Sequence, residues 1–135
     1  MSPSTKKIIV ADDEPDIRKM VCECLAEVGY VTAEARDGAE VLKLLAKEHY
    51  DLVVLDIFMP VNGLQALEGI KANHPATKVV ILSAITQYSA NFNDAVIGQN
   101  AEAFVPKPPK LDFFLDTIGA VLEGREPPPN PDQKN

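Results

Sequence analysis

The run Leu52-Val53-Val54-Leu55 is continuously apolar and stops abruptly at Asp56. Such a run leaves no polar side for water, so a strand formed here must be covered on both faces. Two more short runs, Ile8-Ile9-Val10 and Val79-Val80-Ile81-Leu82, have the same character. A parallel sheet with helices on both faces accommodates several such strands at once.

The intervening segments supply the helices. Asp13–Val28 carries Ile17, Met20, Val21, Cys24, Leu25 and Val28 on one helical face, with Pro15 in the first turn and Gly29 at the stop. Asp37 is placed to cap a helix running to about Glu48, with Val41, Leu42, Leu44 and Leu45 near its buried face. A turn at Asn62-Gly63 precedes a helix from Leu64 to about Asn73. Another helix is predicted to start near Ser89, with Phe92, Ala95 and Val96 on one side, and a closing helix spans Leu111–Leu122. Lys6–Ala11, Tyr30–Ala35 and Ala103–Val105 join the two long apolar runs as strands. Strands and helices thus alternate five times. The prediction is an α/β, flavodoxin-like, doubly wound parallel sheet of order 2-1-3-4-5, with helices on both faces. Sites in such folds lie beyond the carboxyl ends of the strands, at the switch between strands 1 and 3.

The chain has 135 residues, enough for one domain with its own core. Residues 1–5 form a polar lead-in and 6–123 the domain. Residues 124–135 are proline-rich and polar, a stretch expected not to pack and to serve as a disordered tail or linker. The net charge of −7 argues against direct binding of nucleic acid. Cys22 and Cys24, two apart on a helix, point to different sides and suit neither a redox pair nor a zinc knuckle. No run resembles a signal peptide or approaches a membrane span, so a cytoplasmic location is expected.

Chemistry gathers at the predicted strand ends. Strand 1 ends in Asp12-Asp13, strand 3 in Asp56, strand 4 in Ser83, and strand 5 leads to Lys107. Singly, these read equally well as a helix cap, a loop carboxylate, a turn hydroxyl and a solvated charge. Jointly, the fold would bring all of them to one rim. Carboxylates crowded there repel one another unless a cation joins them, and few-carboxylate sites with open water positions suit magnesium. A lysine adds a compact positive charge and a serine a hydrogen-bond donor. Together these are the parts of a phosphoryl-transfer site.

Four stretches carry a resemblance to a known family. They are Ile8 through Pro15, Asp56-Ile57-Phe58-Met59-Pro60 with Gly63, Ile81-Leu82-Ser83-Ala84, and Phe104-Val105-Pro106-Lys107-Pro108. In this order the chain resembles the receiver domains of two-component response regulators over residues 6–123. The resemblance implies that Asp56 accepts a phosphoryl group from a histidine kinase or histidine phosphotransfer protein. It implies Mg2+ or Mn2+ held by Asp13, Asp56 and the backbone carbonyl of Phe58, with Asp12 acting through water. Ser83 and Lys107 would contact the phosphoryl group, and the Lys107–Pro108 bond would be cis. Ser83 and Phe104 would form the switch, acting on a surface made by the helix near Ser89, strand 5 and the closing helix. That surface would signal to a downstream protein or a fused output domain, as a monomer or a phosphorylation-dependent dimer. Phe58 and Ile85 would tune dephosphorylation, and their apolar character predicts slow loss. The chain is then a switch rather than a metabolic enzyme.

Other readings fit less well. A phosphatase of the haloacid dehalogenase type needs an acid two residues after its nucleophile, and position 58 is Phe. A flavin carrier needs a phosphate-cradling loop after strand 1, where Asp12-Asp13-Glu14 would repel the phosphate. A binding-only receiver would be expected to lack Asp56, Asp13 or Lys107, and all three are present.

Overall fold

The apolar runs become the middle of a sheet. The computed structural model describes residues 5–56, 63–83 and 101–129. Among them are the strands β1 (Lys7–Ala11), β2 (Val31–Ala35), β3 (Leu52–Leu55), β4 (Lys78–Ser83) and β5 (Ala103–Pro106). All pair in parallel, in the order β2-β1-β3-β4-β5. The described helices are α1 (Pro15–Glu27), α2 (Gly38–Lys47), α3 (Gly63–Asn73) and the closing helix α4 (Leu111–Glu123). The predicted topology is the observed one. The helix expected near Ser89, with Phe92, Ala95 and Val96, lies outside the described residues.

Alternation along each strand divides the apolar residues between two cores. Ile9, Val53, Leu55, Val79 and Ile81 pack with Val41 and Leu45 of α2 and Leu67 and Ile70 of α3. Ile8, Val10, Leu52, Val54, Val80 and Leu82 pack with Val21 and Leu25 of α1 and Phe114, Ile118 and Val121 of α4. Each large side chain wholly buried this way is worth about 1.5–3 kcal/mol. Both faces of β1, β3 and β4 are therefore consumed by packing, which leaves the strand ends as the place for polar groups.

Local signals act as their chemistry dictates. Asp37 caps α2 by accepting the Glu40 N–H at 2.9 Å. Gly124 ends α4 at φ +75°, a conformation that costs any residue with a Cβ. Pro106 lies in β5, which among the described residues pairs only with β4, and an edge strand tolerates its missing N–H.

One expectation needs correction. The buried stripe of α1 runs through Val21, Cys22 and Leu25, while Met20 is 37% and Val28 55% exposed. The helix stops before Val28, so that residue no longer shares the inward face. In the proline-rich stretch, Pro127 and Pro128 are half-buried. A segment too polar to build its own core can still lay two apolar rings on a surface built by others.

Candidate functional site

Backbone hydrogen bonds fix the carboxylates before their side chains meet. The Asp12 N–H donates to Ala35 O at 3.1 Å and the Asp56 N–H to Ala11 O at 3.0 Å, carrying the sheet ladder one step past the strand ends. Asp12 Oδ1 then accepts the Glu14 N–H at 2.8 Å, turning the chain into α1. Arg18 closes the turn from outside, donating to Asp12 O at 2.8 Å and to Glu34 at 2.7 Å.

The resulting rim is crowded with negative charge. One carboxylate oxygen from each of Asp12, Asp13, Glu14 and Asp56 lies within 4.8 Å of the others. Asp12 and Asp56 are buried and Asp13 and Glu14 exposed. Lys107, its side chain only 8% exposed, enters from beyond β5. Its Nζ lies 2.7 Å from Asp12 Oδ2 and 3.0 Å from both Asp56 Oδ2 and Glu14 Oε1. The Lys107–Pro108 bond is cis, as the resemblance implies.

Burial and charge pull against each other here. Burial pushes the Asp12 carboxyl above its ordinary pKa, with Lys107 pulling it partly back. Burial also works against the charge on Lys107, but the close carboxylates of Asp12, Asp56 and Glu14 outweigh it and hold the ammonium above the ordinary lysine range. One ammonium does not balance the carboxylates around it. Asp12 Oδ2 is close enough to Lys107 to pair with it by distance, yet it is buried and lacks a hydrogen bond of good geometry. A buried, poorly satisfied carboxylate oxygen beside three others is a donor set that fits a hard divalent cation.

The site expected from sequence is thus assembled in part. Asp12, Asp13, Asp56 and Lys107 come together. Ser83 ends β4 opposite Pro106, and its side chain lies outside the described set. Phe104, on β5 opposite Ile81, is half-buried and packs against the core shared with α2 and α3. Phe58 and Ile85 lie outside the described residues. Sequence reasoning gave Glu14 no role, although it shares Lys107; its signal was adjacency to the aspartate pair.

The family model of the response regulator receiver domain matches residues 8–118. This chain belongs to that family. Receivers are the phosphorylation-responsive domains of two-component signalling: histidine kinases phosphorylate them, they signal to output domains, and they generally bind Mg2+ at an acidic pocket. Among curated relatives, response regulator MprA of Mycobacterium sp. (strain KMS) is 31% identical over 93% of this chain and 54% of its own length. The protein-glutamate methylesterase/protein-glutamine glutaminase of Geobacillus kaustophilus is 36% identical over 90% of this chain and 37% of its own. The chain therefore spans about half, or less, of these relatives. Among solved structures, response regulator TrrA of Thermotoga maritima, in complex with Mg(2+)-BeF, is 33% identical with a TM-score of 0.76, covering 87% of this chain and 99% of that one. A CheY-like receiver from Methanospirillum hungatei superposes with a TM-score of 0.82 over 90% of this chain and 96% of that one; at 24% identity it speaks for the fold alone. Among the described residues, no helix is long and apolar enough to cross a membrane.

Proposed function

We propose that this receiver stores a signal as a phosphoryl group on Asp56, taken from a histidine kinase or a histidine phosphotransfer protein. The observation that carries the reading is the position of Lys107 Nζ, 3.0 Å from Asp56 Oδ2 and inside the carboxylate cluster. An Asp56 oxygen would attack phosphorus as the bond to the donor imidazole nitrogen breaks, and the nitrogen would keep the electron pair and take a proton. Lys107 would pair with the incoming phosphoryl oxygens, and Ser83 would donate a hydrogen bond to another. Asp13 and Asp56, with the Phe58 carbonyl, would hold Mg2+ or Mn2+, and Asp12 would reach it through water. The ion would supply the positive charge that lets an anionic donor approach anionic Asp56.

The output step would run through Ser83 and Phe104 to a surface formed by β5 and α4, to which the helix predicted near Ser89 would also contribute. A half-buried Phe104 supports this, because it has packed and open neighbours to choose between. The receiver of a downstream signal would be a partner protein or a fused output domain, reached as a monomer or through a phosphorylation-dependent dimer. The apolar Phe58 and Ile85 favour a long-lived phosphoryl group. Incubation with Mg2+ and acetyl phosphate should label the protein, and Asp56→Asn should abolish labelling while leaving the circular dichroism spectrum unchanged. Labelling that survives Asp56→Asn would sink the proposal. Loss of label within seconds would sink the long lifetime alone.

A further inference from the structure

The chain does not leave the domain at the end of α4. Gly124, at φ +75°, donates to Val121 O at 3.2 Å, and the Arg125 N–H donates to Ala120 O at 2.8 Å. This glycine cap reverses the backbone. The prolines that follow lack N–H groups and hold φ near −65°, so the segment cannot rejoin a helix and stays extended. It runs back along α4. Pro127 and Pro128 share a groove with Thr117 and Phe113 of α4 and Phe104 of β5. Pro128 also borders a second groove on the other flank of α4, with Leu115 and Asp116. Four extended residues reach about 13 Å, which covers about two helical turns.

The groove joins the two halves of the molecule at the sheet's outer edge. Phe104 packs against the core shared with α2 and α3, whereas Phe113 packs against the core shared with α1 and α4. Among the described residues β5 pairs with β4 alone, and an edge strand is commonly covered by another segment. Aromatic-lined grooves take extended proline segments well, because such a segment has little conformational entropy left to lose. A tether this short also supplies a local concentration on the order of millimolar, which keeps even a weak dock occupied.

We propose that the β5–α4 edge is a docking surface for an extended proline-bearing segment, and that its resident ligand is this chain's own Glu126–Pro128. A partner presenting such a segment in trans must displace the resident to reach Phe104. Any consequence for signalling rests on the function proposed above; the docking itself does not.

The test uses the full chain labelled with 4-fluorophenylalanine, without Mg2+ or phosphodonor. In the double variant Pro127→Asp/Pro128→Asp, the 19F resonances of Phe104 and Phe113 should move, while that of fully buried Phe114 should not. Pro129→Asp, at an exposed position outside both grooves, should leave all three in place. A synthetic peptide of residues 124–131 should return the two signals toward their original positions in the double variant. It should bind that variant about tenfold or more tighter than the unaltered chain, whose own tethered segment competes for the same wall of the groove. Unmoved Phe104 and Phe113 resonances in the double variant would overturn the proposal, as would equal peptide affinity for both proteins. Beryllofluoride with Mg2+, added afterwards, separates the two readings: failure to bind would count against the Asp56 chemistry and leave the docking result standing.

Discussion

The central strand carries an aspartate at each end, and the two live in opposite worlds. Asp51, just before β3, accepts the Lys7 N–H at 2.8 Å through Oδ2, and Oδ1 lies 3.3 Å from His49 Nε2. Its own N–H donates to Lys7 O and its carbonyl accepts the Lys78 N–H, so it is stitched to the strands on both sides. Nearby, Thr77 Oγ1 closes the same end by donating to Tyr50 O at 2.8 Å. Asp56, just after β3, has its N–H fixed on Ala11 O, but its carboxylate shares Lys107 with Asp12 and Glu14. The Asp51 carboxylate, answered by a backbone donor of the neighbouring strand, is part of the structure. A carboxylate that shares one ammonium with two others is one of several competing charges, a donor set that fits a hard divalent cation. The residue type is the same; the permanence of the partner decides the role.

If this contrast is right, substitutions at the two ends should differ in size, sign and response to magnesium. The largest effect belongs to Lys107→Ala. Removing the cation that Asp12, Asp56 and Glu14 share weakens the compensation of two buried carboxylates, at a cost of roughly 3 kcal/mol in urea unfolding at pH 7 with chelator present. Saturating Mg2+ should recover part of it, whereas a loss indifferent to Mg2+ would mean that Lys107 acts through packing. At the other end, Asp51→Ala orphans the Lys7 N–H and should cost about 1–2 kcal/mol, with or without Mg2+. Magnesium dependence there would break the contrast outright.

Asp12→Asn should go the other way. Burial raises the pKa of this acid in the folded state, so ionisation works against folding. That cost is absent below the unfolded value near 3.8, grows as pH rises toward the folded value and is fully present above it. Without Mg2+ the variant should therefore be more stable than the unaltered chain at pH 7, by roughly 1 kcal/mol, and the gain should fade on acidification through the carboxylate range. It should also bind Mg2+ more weakly, giving a smaller rise in Tm on adding the ion. A loss of stability at pH 7 in chelator would show that the ion pair with Lys107 outweighs the burial cost.

The legible parts of this molecule are those where one physical demand dominates. Apolar runs such as Leu52–Leu55 have a single way to be buried, and their order along the chain set the sheet topology, which set the meeting of Asp12, Asp13, Asp56 and Lys107. Where two demands compete, sequence reasoning slipped. Met20 and Cys22 both qualify for the buried stripe of α1, and only the crossing of that helix over the sheet selects Cys22. Glu14 looks like one more solvated acid until Lys107 arrives from 93 residues away.

Glu14 also offers the finest cut through the contrast, because it shares Lys107 with Asp12 and Asp56 while its own side chain is 60% exposed. Water screens its half of the pair, and holding a long side chain in place costs entropy, so the contact itself should contribute less than about 0.5 kcal/mol. Glu14→Gln should then leave urea stability nearly unchanged, and what change there is should vanish in about 1 M salt, where the Debye length falls to about 3 Å. The same variant removes one of the four carboxylates in the cluster, so it should weaken Mg2+ binding by less than Asp12→Asn does, read as the midpoint of a Mg2+ titration followed by NMR. If Glu14→Gln instead costs as much stability as Lys107→Ala, partner permanence is not what separates the two ends of β3, and the exposed rim of the site is as structural as its buried floor.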